Sequence, residues 1–127
     1  MAYLGVVARW DLFWADLDPT VGSEQGGERR PVVVVSNDGF NANFPLVTVL
    51  SCTKAEGKKR KVYSFEVVLP KGMVTAQHES ILMPQQIRTI AKTRLLSRIG
   101  AITDLAIRAE IENRLLEHLD IAFEAES

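Results

Sequence analysis

The stretch GSEQGGERRPVVVV, residues 22–35, is the most informative part of the chain because it joins a polar, glycine-rich loop directly to an apolar run. Residues 31–36, PVVVVS, are β-branched without interruption, which is typical of a strand buried on both faces. Pro31 is tolerated at the first position of such a strand, where its missing N–H breaks no ladder. The sequence therefore predicts a buried strand with glycines and arginines at its entrance.

Further strands and one helix are expected along the chain. Short aromatic or β-branched runs predict strands at 9–17, 46–52, 62–70, 80–83 and 87–91, with loops at 37–45 and 53–61. From Thr103 onward the apolar period becomes helical, and Thr103 or Asp104 can cap the start. Short antiparallel strands followed by a helix indicate an α+β domain, a small curved β-barrel or sandwich. The apolar face of the helix is expected to comprise Ile107, Ile111, Leu115, Leu119 and Phe123.

The composition is that of one globular domain spanning residues 1–127, with 46% hydrophobic and 24% charged residues. The single cysteine, Cys52, excludes a disulfide framework within the chain and favours a reducing compartment. No apolar run approaches the 18 residues of a membrane-spanning helix, and no signal-peptide pattern opens the chain. A cytoplasmic location is expected.

Charge is distributed unevenly although the net charge is only −1. Residues 1–100 carry 13 Lys and Arg against 9 Asp and Glu, whereas residues 101–127 carry 2 against 7. The basic excess lies in the loop that contains Arg29 and Arg30 and in the segment from Lys58 to Lys61. These two loops could form one patch that binds a polyanion.

Arg30 is the leading candidate for chemistry. Pro31 and the strand anchor its backbone, and a guanidinium offers a planar fork that matches two phosphate oxygens. The alternative, a hairpin loop kept soluble by its charges, is equally compatible with the residues alone, because the spacing matches neither GxGxxG nor a GxxxxGK[ST] phosphate loop.

Three potential nucleophiles, Ser51, Cys52 and Thr53, end the predicted strand at 46–52. Cys52 is best interpreted as a small buried apolar residue, whereas a hydroxyl at a strand end, such as that of Thr53, tends to be exposed. No cluster of His, Cys, Asp and Glu has metal-ligand spacing, so neither a metal nor a cofactor is predicted. Phe40 and Phe44 could stack nucleobases or fold back onto the core.

The order of these segments closely resembles the MazF/PemK/Kid group of bacterial toxin endoribonucleases. The resemblance covers residues 9–98 and rests on W-ADLDPTVGSEQGG-RRPVVVVSND, VTVLSCT, FEVVLP and SILM-QQIRTI. It implies the SH3-like MazF/Kid/CcdB toxin fold, a homodimer, and metal-independent cleavage of single-stranded RNA, chiefly mRNA. It also implies a cognate antitoxin protein, expected to lay an extended segment across the RNA groove.

By position, the resemblance assigns the catalytic arginine to Arg30 and the catalytic threonine to Thr53. Its RNA-contacting loop falls on Ser23, Glu24 and Gln25, and further RNA-contacting residues are expected among Arg29, Asn37, Lys54, Lys58 and Gln86. Because an arginine is a poor proton acceptor near pH 7, Glu24 is the alternative general base.

Three departures from the family pattern bear on these assignments. The loop is one residue longer because Glu28 and Arg29 precede Arg30, which makes Arg29 an alternative to it. Gln85 stands where the family usually has an acidic residue, and Trp10 stands where it usually has glycine.

Two other functions stay open at this stage. One is a non-catalytic toxin of the same fold that poisons a protein such as gyrase, although the FEAES terminus lacks an aromatic or apolar motif for it. The other is a plain RNA-binding module.

Overall fold

The computed structural model describes residues 2–55 and 60–122. Within these two ranges, six strands form one antiparallel sheet in the order β4-β5-β3-β2-β1-β6, and the sheet curls into a half-barrel with a C-terminal helix. The expected α+β class and curved sheet are confirmed. The elements are β1 (Asp11–Ala15), β2 (Arg30–Val34), α1 (Asp38–Asn43), β3 (Leu46–Lys54), β4 (Val67–Leu69), β5 (Ser80–Ala91), β6 (Leu95–Ala101) and α2 (Leu105–His118).

The valine run of β2 lies at the centre of the sheet, between β1 and β3. Val32, Val33 and Val34 are fully buried. Val33 belongs to one apolar cluster, and Val32 and Val34 belong to a second one. The strand is therefore buried on both faces, as predicted from its unbroken β-branched sequence.

Helix α2 covers the first of these clusters, which contains its fully buried Ile111. Asp104, one of the two predicted caps, accepts hydrogen bonds from the N–H groups of Ala106 and Ile107 at 2.9 and 3.2 Å. The helix ends at His118, and Phe123 of the predicted apolar face lies outside the described residues. Within the part of the chain that is described, no helix is long and apolar enough to cross a bilayer.

Residues 37–45, predicted to be a loop, contain the short helix α1. The carbonyl oxygen of the Asn37 side chain accepts a hydrogen bond from the Phe40 N–H at 2.8 Å, which caps the helix. Phe40 and Phe44 stack on each other with ring centroids 5.1 Å apart. The prediction of a loop is wrong because Asn37 acts here as a helix cap.

The predicted strand over 62–70 is wrong for residues 62–66, since β4 is only Val67–Leu69. The Glu66 N–H donates to the Tyr63 carbonyl at 3.0 Å, and the Tyr63 N–H donates to the Glu66 side chain at 3.1 Å. These two bonds close a turn that leaves Tyr63 and Phe65 exposed and stacked on each other. In residues 62–66, large and small side chains alternate as they do in a strand, although the chain forms a turn.

The two strands predicted at 80–83 and 87–91 are one strand, β5, interrupted by a bulge. From Val49 to Ser51, β3 advances by two residues, while its partner positions on β5 move by five, from Arg88 to Met83. The surplus residues of β5 include Gln85 and Gln86. Strand β6, which pairs with β1, was not predicted.

Trp10 adopts φ +77°, a left-handed backbone conformation that favours glycine. The glycine usual at this position in the resembling family fits that backbone. Trp10 is nonetheless buried in the core, with the guanidinium carbons of Arg9 and Arg108 at 4.7 and 5.4 Å from its ring centroid. Packing of a large ring compensates here for backbone strain of about 1–3 kcal/mol.

Candidate active site

The glycine-rich loop owes its shape to close contacts that exclude side chains. Gly27 has φ +128°, and a Cβ on it would lie 2.6 Å from the Arg30 Nε. A Cβ on Gly26 would lie 2.3 Å from the Thr20 hydroxyl. The Gly27 N–H donates to the Asp18 carboxylate at 2.8 Å, which fixes the loop at the mouth of β2. Glycine is thus required because the chain and the Arg30 side chain approach each other closely.

Arg30 lies half-buried at the start of β2. Its Nε donates to the Gly26 carbonyl at 2.8 Å, which fixes the plane of the guanidinium. Among the described residues, neither terminal nitrogen of Arg30 has a hydrogen-bond partner or an ion pair. The fork of the guanidinium is therefore positioned but still available to a ligand.

Arg30 lines a cleft of about 450 Å³, which we call the Arg30 cleft. Thr53 also lines it, since continuing the register of Val32 opposite Ser51 brings Thr53 beside Arg30. Arg29 and Lys54 supply two more positive charges to its walls. The Arg29 guanidinium carbon lies 4.7 Å from the centroid of the Trp14 ring. Four of the predicted residues are brought together here.

A second cleft of about 220 Å³, the Gln85 cleft, has among its lining residues Glu24, Gln25, Ser51, Gln85, Gln86 and Arg88. It adjoins the Arg30 cleft along β3, because Ser51 and Thr53 are two residues apart and point to the same face, about 7 Å from each other. The loop forms a wall of both clefts. Glu24 lies in the Gln85 cleft and not among the residues that line the Arg30 cleft.

Gln86 holds the loop in place with both ends of its amide. Its Oε1 accepts from the Gln25 N–H at 3.0 Å, and its Nε2 donates to the Ser23 carbonyl at 3.2 Å. The Glu24 carboxylate accepts from the Val21 N–H at 2.7 Å within the loop. In the structure, therefore, Gln86 positions the loop that carries Ser23 and Gln25.

Two of the predicted residues lie elsewhere or cannot be placed. Asn37 follows the opposite end of β2 from Arg30, and its side chain caps α1, so it lines neither cleft. Lys58 lies outside the described residues. Arg60, expected in the basic patch, instead forms an ion pair with the buried Glu66, with Nη2 2.7 Å from Oε2.

Cys52 is fully buried between Ser51 and Thr53, and burial raises the pKa of its thiol to about 12. It is an apolar core residue, as expected, and is not a nucleophile near neutral pH. In residues 2–55 and 60–122, no three His, Cys, Asp or Glu side chains converge as metal ligands would.

Sequence reasoning missed the polar network behind the Gln85 cleft. Burial alone would raise the pKa of Glu66, but hydrogen bonds from Arg60, Gln85 and the Tyr63 N–H, together with the Arg60 charge, lower it below its usual value. In the sequence, this network is indicated only by Gln85, which stands where the family usually has an acidic residue. Glu66 gives no indication of its burial, because it lies in a segment whose pattern resembles a strand.

Comparisons with known proteins show the family of the chain. A family described as "PemK-like, MazF-like toxin of type II toxin-antitoxin system" matches residues 8–119. Endoribonuclease EndoA of Bacillus subtilis is 39% identical over 99 residues, 78% of this chain and 83% of that protein. Endoribonuclease MazF of Staphylococcus epidermidis is 34% identical over 110 residues, 87% of this chain and 88% of that protein.

Two solved structures extend the comparison to the fold. The crystal structure of MazF from Deinococcus radiodurans matches with a TM-score of 0.75 and 26% identity, over 92% of this chain and 99% of that one. A MazE–MazF structure from the same organism matches with a TM-score of 0.68 and 21% identity, over 93% and 99% of the two chains.

Proposed function

The chain belongs to the PemK-like, MazF-like toxins of type II toxin–antitoxin systems, and from that premise we propose that it is a sequence-specific, metal-independent endoribonuclease. Its substrate is single-stranded RNA, chiefly mRNA, so that its action in the cytoplasm inhibits translation and growth. The Arg30 cleft is the proposed site of cleavage. The proposal takes residues 1–127 as a single toxin domain.

The observation that carries this proposal is the state of Arg30. Its Nε is fixed by the Gly26 carbonyl, while its terminal nitrogens have no partner among the described residues, and Arg30 and Thr53 line the same cleft. A fixed, unpaired cation on a rigid strand suits a ligand whose negative charge increases during reaction. A phosphodiester under nucleophilic attack is such a ligand.

The proposed chemistry uses the nucleophile that RNA itself contains. The 2′-oxygen attacks the adjacent phosphorus, and the bond from phosphorus to the 5′-oxygen of the next nucleotide breaks. The products are a 2′,3′-cyclic phosphate and a 5′-hydroxyl, with one proton removed from the 2′-hydroxyl and one added to the leaving oxygen. Arg30 and the Thr53 hydroxyl would stabilise the extra charge on the pentacoordinate phosphorus, with the Arg30 guanidinium contributing about 10²- to 10³-fold.

Glu24 is the alternative proton acceptor in this proposal, because a protonated arginine is a poor base near neutral pH. Glu24 lines the adjoining cleft on the same loop that carries Arg29 and Arg30. Its role is tested by the pH dependence of kcat/KM for Glu24→Gln. A base role requires the acidic limb of the wild-type profile to disappear in this variant; an unchanged profile assigns the base elsewhere.

The RNA is proposed to follow the loop and the Arg30 cleft. Arg29 and Lys54 would bind flanking phosphates, and Arg29 is also the alternative to Arg30 as the principal cation. Backbone and amide groups of the loop would contact bases. The remaining proposed contacts are Ser23, Gln25, Lys58 and Gln86. Asn37, at the other end of β2, would meet RNA only if the RNA strand extended beyond both clefts.

A homodimer and a cognate antitoxin complete the proposal. Leu119 and Ile121, at the end of α2, are 48% and 52% exposed, and such apolar surface is suited to contact with another chain. An antitoxin would compete with RNA for the basic cleft through an extended acidic or amphipathic segment. Sedimentation of the purified chain should give the mass of two copies, and a monomer would refute the dimer.

The direct test incubates the purified protein with a mixed single-stranded RNA in excess EDTA. We expect discrete fragments bearing 5′-hydroxyl and cyclic phosphate ends, and no cleavage of the same sequence made as DNA, which lacks the 2′-hydroxyl. RNA that stays intact in EDTA and is cut once Mg²⁺ is added would refute the metal-independent mechanism. RNA that is bound but never cut would identify a binding module instead.

A further inference from the structure

The amide of Gln85 is held in one orientation by a buried ion pair. Arg60 donates to both oxygens of Glu66, at 2.8 and 2.7 Å, and the Glu66 side chain is fully buried. An ionised carboxylate only accepts hydrogen bonds, so the group of Gln85 that faces it must be the NH₂. The Gln85 Nε2 donates to the Glu66 Oε2 at 2.6 Å. The Gln85 oxygen must therefore point away from Glu66.

That oxygen and one neighbouring hydroxyl lack partners. Among the described residues, the Gln85 Oε1 and the Ser51 Oγ are both buried without a hydrogen bond. Ser51 is only 2% exposed, and both residues line the Gln85 cleft. Native proteins rarely leave buried polar atoms unpaired, because neither water nor protein then compensates for their desolvation. A fixed acceptor and an unpartnered hydroxyl that line the same cleft suit a ligand that offers both a donor and an acceptor.

We propose that the Gln85 cleft is a base-reading subsite that takes one nucleobase of the RNA. The Gln85 Oε1 accepts from an N–H on the base edge, and the Ser51 hydroxyl donates to the neighbouring ring nitrogen or carbonyl oxygen. This inference rests on the proposed function and deepens it. Gln85 and Ser51 thereby determine which base is accepted at one position of the cleavage sequence, while Glu66 acts as a positioning residue for Gln85.

The place of the cleft supports a base rather than a phosphate. Ser51 is two residues from Thr53 on one face of β3, so a base seated against Ser51 lies next to a phosphate bound in the Arg30 cleft. The two atoms without partners in the Gln85 cleft are neutral, as expected where bases rather than phosphates are recognised. The charged residues that also line it, Glu24 and Arg88, are each hydrogen-bonded to backbone. The Gln86 side chain is hydrogen-bonded to the backbone of Ser23 and Gln25, in the loop that forms one wall of the cleft. The cleft is therefore formed without RNA.

The test compares cleavage of RNAs that differ at single positions of the wild-type cleavage sequence, mapped from the 5′ ends of products. In Ser51→Ala, the kcat/KM ratio between the preferred base and the other bases should fall roughly tenfold at one position and at no other. Gln85→Met should reduce the ratio at the same position. Ser97→Ala, which removes an exposed hydroxyl on β6, is the matched control and should change no ratio.

A second measurement separates base recognition from a structural role. An RNA carrying at that position a base analogue that lacks the acceptor should be a poorer substrate for wild type, with no further loss in Ser51→Ala. Additive losses would mean that the hydroxyl holds a water only, and the proposal would be wrong. Equal loss of kcat/KM on every sequence in Ser51→Ala and Gln85→Met would also overturn it, as would unchanged ratios in both variants. A wild-type protein that cleaves no RNA would instead refute the proposed function, and this inference with it.

Discussion

The two adjoining clefts differ in how their polar groups are held and in what those groups can recognise. In the Arg30 cleft, the Arg30 Nε donates a hydrogen bond to the Gly26 carbonyl, and its terminal nitrogens have no partner among the described residues. Behind the Gln85 cleft, the cation Arg60 is paired with Glu66, and the two lining atoms that lack partners, on Gln85 and Ser51, are neutral. A charge attracts phosphate in any sequence, whereas a fixed neutral acceptor distinguishes one base edge from another. One strand, β3, thus carries Thr53 in the first cleft and Ser51 in the second.

The largest effect is expected from Arg30→Ala. Removing a fixed donor to the developing charge should lower kcat by about 10²- to 10³-fold on every RNA sequence. The measurement is single-turnover cleavage of a short labelled RNA. Arg114→Ala, which removes an arginine from α2 outside both clefts, is the control and should retain full activity. Full activity in Arg30→Ala, with loss in Arg29→Ala, would move the role to Arg29.

Arg60→Ala should affect the other cleft. It leaves a buried carboxylate without its cation, which should destabilise the fold by about 2–3 kcal/mol, less than for a fully buried pair because the Arg60 side chain is 31% exposed. Urea unfolding measures the loss. At temperatures where the variant is folded, base discrimination should fall because Gln85 is no longer fixed. Unchanged stability would contradict the account of this network.

Acid should weaken the same network. The pKa of Glu66 is lower in the folded protein than its usual value of 4.5, so its ionisation stabilises the fold above that pH. This stability is lost as the pH falls through the lowered pKa. The difference in unfolding free energy between wild type and Glu66→Gln should therefore be constant at neutral pH and shrink below about pH 4.5. A difference that grows on acidification would reverse the sign of the assigned shift.

Thr53→Val should have the smallest effect. It keeps the shape of the side chain and removes one neutral hydrogen bond, so kcat should fall by about 2- to 10-fold, equally on all sequences. Thr53→Ser keeps the hydroxyl and should restore most of that loss. If the valine variant instead changed the preferred base, Thr53 would belong to base recognition and the division between the two clefts would fail.

Sequence patterns were sufficient for the elements whose apolar period extends over most of their length. The β-branched run predicted the buried strand β2, and the apolar period with its Asp104 cap predicted α2. The loop at 37–45 and the strand at 62–70 were wrong because side chains of Asn37 and Glu66 bond to nearby backbone, which changes the path of the chain. The spacing of apolar residues along the sequence carries no information about such side-chain-to-backbone hydrogen bonds.

The candidate site was predictable to the extent that it lies on these elements. Arg30 and Thr53 flank paired strands, so their meeting follows from antiparallel register once the strands are known. The Gln85 cleft could not be predicted in the same way, because it depends on a bulge in β5 and on an ion pair between residues six apart in a turn. Neither the position of a bulge nor the pairing of two side chains across a turn is encoded in the spacing of apolar residues.

The most direct test of the division between the clefts measures cleavage of two RNAs that differ only at the base read by the Gln85 cleft. Arg30→Ala should slow both RNAs by the same factor and leave their rate ratio at the wild-type value, while Ser51→Ala should lower the ratio. A changed ratio in Arg30→Ala, with an unchanged ratio in Ser51→Ala, would contradict the assignment of phosphate chemistry to one cleft and base recognition to the other.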